Sequence, residues 1–193
     1  MRMLIKLLVL VAPAAVLPAL APSALGQDTP RAEAAVTYNW VHTNAPPDGC
    51  GCFSMNGASG SFAFRLTHSI SLVGEAGGVT TGNVDATGLD LTLSDYLAGA
   101  RYSLRRSSRW TPFAQVLLGA AHASGGLSPS ELGIGSSTAF AMTAGGGLDF
   151  NINHHFAVRA FQTDYYLTLL PNLADDHQNN FRFSTGIVYH FGH

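Results

Sequence analysis

The feature that most constrains the fold of this 193-residue chain is the run from Asn179 to Phe191, where apolar and polar side chains alternate. Because strand side chains point to opposite faces with a period of two, this alternation predicts a β-strand with two different faces. The first predicted face is largely aromatic and apolar: Phe181, Phe183, Thr185, Ile187, Tyr189 and Phe191. The second is mainly small or polar: Arg182, Ser184, Gly186, Val188 and His190. Such a strand is typical of a β-barrel, in which every strand has an inner and an outer face.

The N-terminus predicts export. Arg2 and Lys6 precede an apolar stretch that three prolines interrupt, and Ala24-Leu25-Gly26 forms a cleavage site of small residues. The apolar stretch is shorter than the roughly 20 residues of a spanning helix, which disfavours an uncleaved membrane helix. We therefore expect a signal peptide at 1–26 and a mature domain at 27–193.

The composition of the predicted mature chain is unusual. Charged residues make up 11% of the whole sequence, against about 25% in ordinary soluble domains. Of the 10 basic residues, Arg2 and Lys6 lie in the predicted signal peptide, and all the others are arginines. The 12 acidic residues outnumber these arginines. No later segment is apolar for long enough to be a membrane helix. No basic run with interleaved aromatics occurs, so nucleic-acid binding is not expected.

The two cysteines, Cys50 and Cys52, are separated by a single glycine. An exported chain meets an oxidising compartment, which favours a local disulfide, although so small a ring is strained and easily reduced. A zinc site is the weaker alternative, because two cysteines supply only half of its four ligands. We expect neither a metal nor a cofactor.

Alternation and turn residues predict eight strands, an even number and the smallest usual size for a membrane barrel. Their approximate ranges are 33–43, 56–67, 70–80, 90–104, 111–123, 138–152, 155–169 and 179–191. In the seventh, Arg159 and Asp164 fall on opposite parities. A basic residue in mid-bilayer costs about 2 to 4 kcal/mol, so we predict that a β-bulge resets the phase between them.

The predicted connections alternate in length, and this alternation predicts an orientation. Short links at 67–70, 105–110 and 152–155 are expected to be periplasmic turns. Longer links at 45–55, 81–89, 122–137 and 170–178 are expected to be extracellular loops, the longer set in outer-membrane barrels. Arg105, Arg106 and Arg109 are then expected to be solvated charges on a periplasmic turn.

Alternation alone also fits a soluble, lipocalin-type barrel with an apolar interior. The content of the faces favours a membrane barrel, because one face is apolar and almost uncharged while the other carries small residues and about one charge per strand. Buried charges must be paired, which predicts ion pairs in a filled lumen that conducts little. The predicted network is Arg65, Glu75, Arg101, Gln115, Asp149, Arg159 and Arg182, joined by Asp95 and Asp164. The predicted interface aromatics are Trp40, Tyr102, Trp110, Tyr165, Tyr166 and Tyr189.

Several short motifs carry a family resemblance. They are Asn180-Phe181-Arg182-Phe183, Tyr189-His190-Phe191, Pro112-Phe113-Ala114-Gln115, Gly145-Gly146-Gly147-Leu148-Asp149 and Asp164-Tyr165. Through them the mature chain resembles the small outer-membrane β-barrel proteins of the OmpA-like and OmpX-like kind. The resemblance implies an eight-stranded antiparallel up-and-down barrel in the outer membrane, monomeric and surrounded by its lipids. It also implies that the barrel assembly machinery recognises the closing strand through Tyr189 and Phe191, although here Gly192 and His193 follow.

The preferred function is a structural or surface-interaction role, in which the extracellular loops contact an unknown ligand. The first alternative is an outer-membrane lipid A deacylase, an eight-stranded enzyme class with a His-x-Ser pair and a glutamate. His122, Ser124 and Glu131 could form such a set, but the flanking residues do not match, so no enzyme activity is expected. A narrow channel for small solutes and a soluble ligand-binding barrel are the remaining alternatives.

Overall fold

The chain forms a closed antiparallel β-barrel of eight strands in the computed structural model. The structure describes residues 31–43, 53–82, 90–105, 109–125, 135–170 and 177–191. The strands are β1 (Ala32–Thr43), β2 (Phe53–Arg65), β3 (Ile70–Thr81), β4 (Leu91–Ser103), β5 (Trp110–Gly125), β6 (Gly135–Asn151), β7 (Phe156–Thr168) and β8 (Gln178–Phe191). The residues so described contain no helix long and apolar enough to cross a membrane.

The barrel closes through the pairing of β1 with β8. Val36 of β1 lies opposite Gly60 of β2 on one side and Ile187 of β8 on the other. Each strand therefore has two partners, which satisfies the backbone hydrogen-bonding groups that an open edge would leave exposed. The predicted strand number, order and up-and-down connectivity are confirmed.

The two faces of the strands differ as the sequence predicts. Large apolar side chains point outward, with exposed fractions of 68% for Val36, 66% for Tyr96 and 60% for Ile187. Arg182 and Val188 of the closing strand point inward and are buried. The soluble-barrel alternative is wrong, because the apolar side chains are on the outside.

Strand β7 contains the predicted β-bulge. Asp149 of β6 lies opposite Arg159, but the preceding Leu148 lies opposite Phe161, so Ala160 has no partner on β6. The Oγ1 hydroxyl of Thr185 donates a 2.9 Å hydrogen bond to the backbone carbonyl of Arg159, which satisfies an acceptor at the irregularity. The bulge prediction is therefore confirmed.

The bulge also determines which way the rest of β7 faces. After it, Gln162, Asp164 and Tyr166 share the inner face with Arg159, and each is nearly fully buried. Tyr165 is 46% exposed on the outside. The interface prediction for Tyr166 is wrong, because adjacent strand residues point to opposite faces and Tyr166 lies in the lumen.

One glycine is required by a close approach of two strands. A β-carbon at Gly145 of β6 would lie 2.0 Å from the backbone oxygen of Thr163 and 2.5 Å from Oδ1 of Asp164 on β7. No L side chain fits at those distances, so β6 and β7 can approach this closely only because residue 145 is a glycine. Gly60 on the outer face differs, since nothing lies within 4 Å of its β-carbon position.

The barrel has two distinct ends. The turn end carries the connections 66–69, 104–109 and 152–155, together with the start of β1 and the end of β8. The loop end carries the connections 44–52, 82–90, 126–134 and 169–177. Several predictions fall outside the described residues: the signal peptide, the Cys50–Cys52 pair, Arg106, Glu131, and the extension Gly192–His193.

Candidate functional site

The lumen contains a charged part and an apolar part. The charged part occupies the middle and the turn end of the barrel, and its largest side chains, Arg101, Arg159 and Arg182, are 1–2% exposed. Guanidinium groups this deeply buried need acceptors, because an unpaired buried charge is costly. The partners of each arginine therefore define what the interior can do.

Arg182 is surrounded by three carboxylates from three different strands. Its Nη1 atom lies 2.6 Å from Oε1 of Glu75 and 3.5 Å from Oδ2 of Asp95, and its Nη2 atom lies 2.9 Å from Oδ2 of Asp164. The guanidinium also lies over the ring of Tyr166, 5.7 Å from its centroid. We call these four charged residues the Arg182 cluster, in which one positive charge faces three acids.

Arg159 is held by a two-point contact with Asp149. Its Nε and Nη2 atoms donate to Oδ1 and Oδ2 of Asp149 at 2.9 and 3.2 Å, the fork geometry that suits carboxylates. Its Nη1 atom donates to Oε1 of Gln162, whose Nε2 atom donates to Oδ2 of Asp164. Gln162 thus connects the Arg159–Asp149 pair to the Arg182 cluster.

Arg101 completes the network toward the turn end. Its Nη1 atom donates to Oε1 of Glu33 at 2.5 Å, and its Nε atom donates to Oε1 of Gln115 at 3.0 Å. The guanidiniums of Arg101 and Arg159 lie 4.7 and 4.6 Å from the centroid of the Phe113 ring. An aromatic ring attracts cations at such distances, so Phe113 brings two like charges close together.

The structure places the predicted network residues as follows. Glu75, Arg101, Gln115, Asp149, Arg159 and Arg182 line the lumen in ion pairs or hydrogen bonds, as do Asp95 and Asp164. Arg65 faces the turn end, and its buried Nε and Nη1 atoms have no hydrogen-bond partner.

The sequence analysis missed two members of this network. Glu33 has the same parity as the buried Thr37 and Asn39, so the alternation of β1 could have identified it. Gln162 is harder to find, because its inward orientation depends on where the bulge lies.

Arg105 differs from its predicted state. Its side chain is only 16% exposed, and its Nη2 atom lies 3.7 Å from Oε2 of Glu33. It follows the end of β4, so its long side chain reaches back into the mouth of the lumen instead of into solvent. Arg109 is exposed as expected.

The loop-end half of the lumen contains a large apolar cluster, which the pattern of small and polar inner residues does not predict. The cluster includes Val41, Met55, Val79, Leu93 and Tyr166. Phe53, Leu91 and Leu170 pack against the same cluster. The buried polar side chains of Thr43, Thr168 and Asn180 lie at the same end, so the loop end of the lumen combines apolar surface with hydrogen-bonding groups.

His122 and Ser124 lie on the outer face of β5 near the loop end. The alternating residues Ala121 and Ala123 of the same strand point inward and are buried. The Nδ1 atom of His122 is 2.7 Å from the Oγ1 hydroxyl of Thr138 on β6. Thr138 thus occupies the ring nitrogen that an orienting carboxylate would contact in a catalytic triad.

Aromatic side chains gather on the outside near both ends. At the turn end, the ring centroids of Trp110 and Phe150 are 4.7 Å apart, and Tyr189 contacts Phe156 and Phe191 at 5.1 and 4.8 Å. At the loop end, Tyr165 donates a hydrogen bond to Asn179, and Trp40 stacks on His42. Two aromatic belts of this kind mark the two interfaces of a membrane.

Comparison with known proteins gives a consistent result. A family model described as "Outer membrane protein beta-barrel domain" matches residues 7–191. Comparison with curated proteins gives no match.

Solved structures with a similar fold include Ail, the attachment invasion locus protein of Yersinia pestis, with a TM-score of 0.54, 15% identity, and coverage of 83% of this chain and 99% of that one. Neisserial surface protein A has a TM-score of 0.60 and 15% identity, and the match covers 82% of this chain and 97% of that one. The outer membrane protein AlkL, whose structure was determined in DMPC bilayers, has a TM-score of 0.50 and 12% identity. The match covers 92% of this chain and 98% of that one. At these identities, the likeness shows the shared fold.

Proposed function

The chain belongs to the outer membrane protein beta-barrel domain family, and we propose that in the outer membrane it is a non-conducting surface protein that contacts its partner through the connections at the loop end. The observation that carries this proposal is the filled interior, in which Arg101, Arg159 and Arg182 are each at most 2% exposed. If nothing passes through the lumen, the surface beyond the membrane is what remains for function. The turn end would face the periplasm, because short turns lie there in bacterial barrels.

The composition of the long connections indicates the chemistry of that partner. The segments 44–52, 82–90, 126–134 and 169–177 contain no arginine or lysine, and they contain the six acids Asp48, Asp85, Asp90, Glu131, Asp175 and Asp176. A surface of one sign attracts partners of the other and repels partners of its own. Ail has been crystallised with the heparin analogue sucrose octasulfate, but an acidic loop set favours a basic partner.

The surface proposal is tested with the chain in phosphatidylcholine nanodiscs and two probes of opposite charge, polylysine and heparin. We expect salt-sensitive binding of polylysine and none of heparin. A variant with Asp48, Asp85, Glu131, Asp175 and Asp176 changed to the corresponding amides should lose the binding, whereas Arg109→Gln at the turn end should keep it. Heparin binding, or polylysine binding that survives the five changes, would contradict the proposal.

The closed lumen has its own test in planar bilayers. The ion pairs of Arg182 and Arg159 cross the interior, and the apolar cluster around Met55 and Leu93 lies beyond them. We expect no stable unitary conductance from the refolded chain. A large, long-lived conductance step would show that the narrow-channel alternative is correct.

Assembly is proposed to depend on the aromatic end of β8. Phe191 is 44% exposed on the outer face and packs against Tyr189, so its ring is available to the barrel assembly machinery. Deleting Phe191 should reduce the amount of heat-modifiable monomer in the outer membrane. Phe181→Ala, at the other end of the same strand, is the matched control, and undiminished insertion of the deletion variant would refute this role.

The proposed role is not enzymatic. His122 is engaged by Thr138, which supports a structural place for this histidine on the outer face. Lipid A from cells that overexpress the chain should keep its acyl chains when measured by mass spectrometry. Loss of one acyl chain, abolished by Ser124→Ala, would establish the deacylase alternative.

A further inference from the structure

We propose that the turn end of the lumen is an oxyanion-binding site for a phosphate-type group, held by Arg65, Arg101 and Arg105. This site is at the opposite mouth of the barrel from the connections invoked above, and it does not depend on their partner. Four observations lead to it: unpartnered donors, excess positive charge, convergence of the three side chains, and the chemistry of guanidinium.

The three arginines share an excess of buried N–H donors. The Nε and Nη1 atoms of Arg65, Nη2 of Arg101 and Nε of Arg105 are buried and have no hydrogen-bond partner. The Arg101 side chain is 2% exposed, and that of Arg105 is 16% exposed. Buried polar groups in folded proteins are almost always satisfied, so a cluster of unsatisfied donors calls for an acceptor.

The same place has more positive than negative charge. Arg101 and Arg105 both contact one carboxylate, Glu33, at 2.5 and 3.7 Å. Arg65 is attracted by Glu33 and repelled by Arg105, so among the described residues Glu33 is the acid that all three guanidiniums share, while Arg101 is also attracted by the more distant Asp149 and Glu75. His190 adds a further group, with Nδ1 3.7 Å from Oε2 of Glu33. The Arg182 cluster deeper in the lumen has the opposite imbalance.

Strand register explains why these side chains converge. Ser71 of β3 lies opposite Arg65 of β2 on one side and opposite Arg101 of β4 on the other. Arg65 and Arg101 therefore stand in one inward-facing row, separated by one strand. Arg105 follows the end of β4 and contacts Glu33, which places its guanidinium in the same mouth.

Guanidinium chemistry favours an oxyanion as the missing acceptor. The planar fork of arginine offers parallel N–H groups that match phosphate oxygens, and such charge-assisted hydrogen bonds are strong. A phosphate group would supply several acceptors and offset the excess charge at once. Water could accept the hydrogen bonds but would leave the charge imbalance in place.

The test uses the full chain in maltoside micelles, which contain no phosphate headgroups, and follows the arginine side-chain Nε resonances by NMR. Inorganic phosphate should cause saturable shifts at Arg65, Arg101 and Arg105. Arg65→Gln and Arg105→Gln should each weaken binding about tenfold or more, the loss of one charge-assisted contact. Arg109→Gln removes an equal charge from an exposed site at the same end and should bind as the original chain does.

A parallel titration with glycerol 3-phosphate distinguishes the two sources of this anion. Saturable binding of the ester shows that the mouth admits a phosphate carried on a larger molecule, and binding of inorganic phosphate alone shows a site for the free ion. The proposal is overturned if neither probe gives saturable shifts or if Arg109→Gln weakens binding as much as Arg65→Gln.

Discussion

Nη1 of Arg182 donates a 2.6 Å hydrogen bond to Oε1 of Glu75, which joins the last strand of the barrel to the third through the interior. Both side chains are almost fully buried, at 2% and 3% exposure. Pairing in this environment fixes the strands that carry the two charges relative to each other. Breaking it by removing one partner is costly because the other charge stays buried.

Replacement of Arg182 should be among the most destabilising single changes in the lumen. Arg182→Ala leaves Glu75, Asp95 and Asp164 without their shared cation, and loss of one partner of a buried pair typically costs about 3 to 5 kcal/mol. The free energy of unfolding in urea, measured in micelles, is the test. Arg109→Ala at an exposed site should change it by less than about 0.5 kcal/mol, and equal effects of the two variants would count against the network.

Alanine at Gly145 should prevent the normal pairing of β6 with β7. Its β-carbon would lie 2.0 Å from the backbone oxygen of Thr163, and a backbone atom cannot move aside as a flexible side chain can. We expect little heat-modifiable barrel after refolding. Gly60→Ala is the matched control, because its β-carbon would meet nothing within 4 Å. Normal refolding of Gly145→Ala would show that the strands can separate there at little cost.

Removing the ring between two arginines should loosen the network without removing a charge. Phe113→Leu abolishes two cation–π contacts, each estimated at about 0.5 to 2 kcal/mol, and leaves Arg101 and Arg159 to repel each other. The urea midpoint should fall clearly. Phe62→Leu on the outer face should have a smaller effect. The Phe62 side chain is 51% exposed, and its ring takes part in none of the cation–π contacts found among the described residues. The reverse order of the two effects would argue against this role.

A charged side chain on the outer face should destabilise the barrel more, the deeper it lies in the membrane. Ile187→Arg introduces a cation on the outer face, opposite Val36 and about midway along the paired strands β1 and β8. An arginine at the middle of the bilayer costs about 2 to 4 kcal/mol. Leu104→Arg lies at the turn end, where the cost falls to about 0 to 1 kcal/mol. Unfolding free energies measured in lipid vesicles would separate the two, and equal penalties would mean that the depth assignment is wrong.

Much of the fold could be predicted because the alternation of each strand is long and its outer face is strongly apolar. The closing strand and the β7 bulge show this, since Arg159 and Asp164 on opposite parities require a phase change. Parity was less informative at strand ends. Arg105 lies beyond the last residue of β4, where periodicity no longer says which way a side chain turns.

The composition of the lumen was predicted less well than its charges. A charged residue in a strand of this composition is expected to face the lumen, because charge is costly in lipid. An apolar residue such as Met55, Val79 or Leu93 is compatible with either the lipid-facing or the lumen-facing side of the strand. Only the register places them together in the loop-end cluster. Tyr166 was misplaced for a related reason, because an aromatic residue near a strand end also fits an interface belt.

The bulge at Ala160 places one extra residue on the outer face of β7. If Ala160 were instead paired in turn with the neighbouring strands, the rest of β7 would shift by one residue and turn Gln162, Asp164 and Tyr166 toward lipid while Phe161 and Tyr165 entered the lumen. The Arg182 cluster would then lose Asp164, and the hydrogen-bond connection through Gln162 to Arg159 would disappear with it. A single unpaired residue on the outer wall therefore decides whether the interior charges can meet.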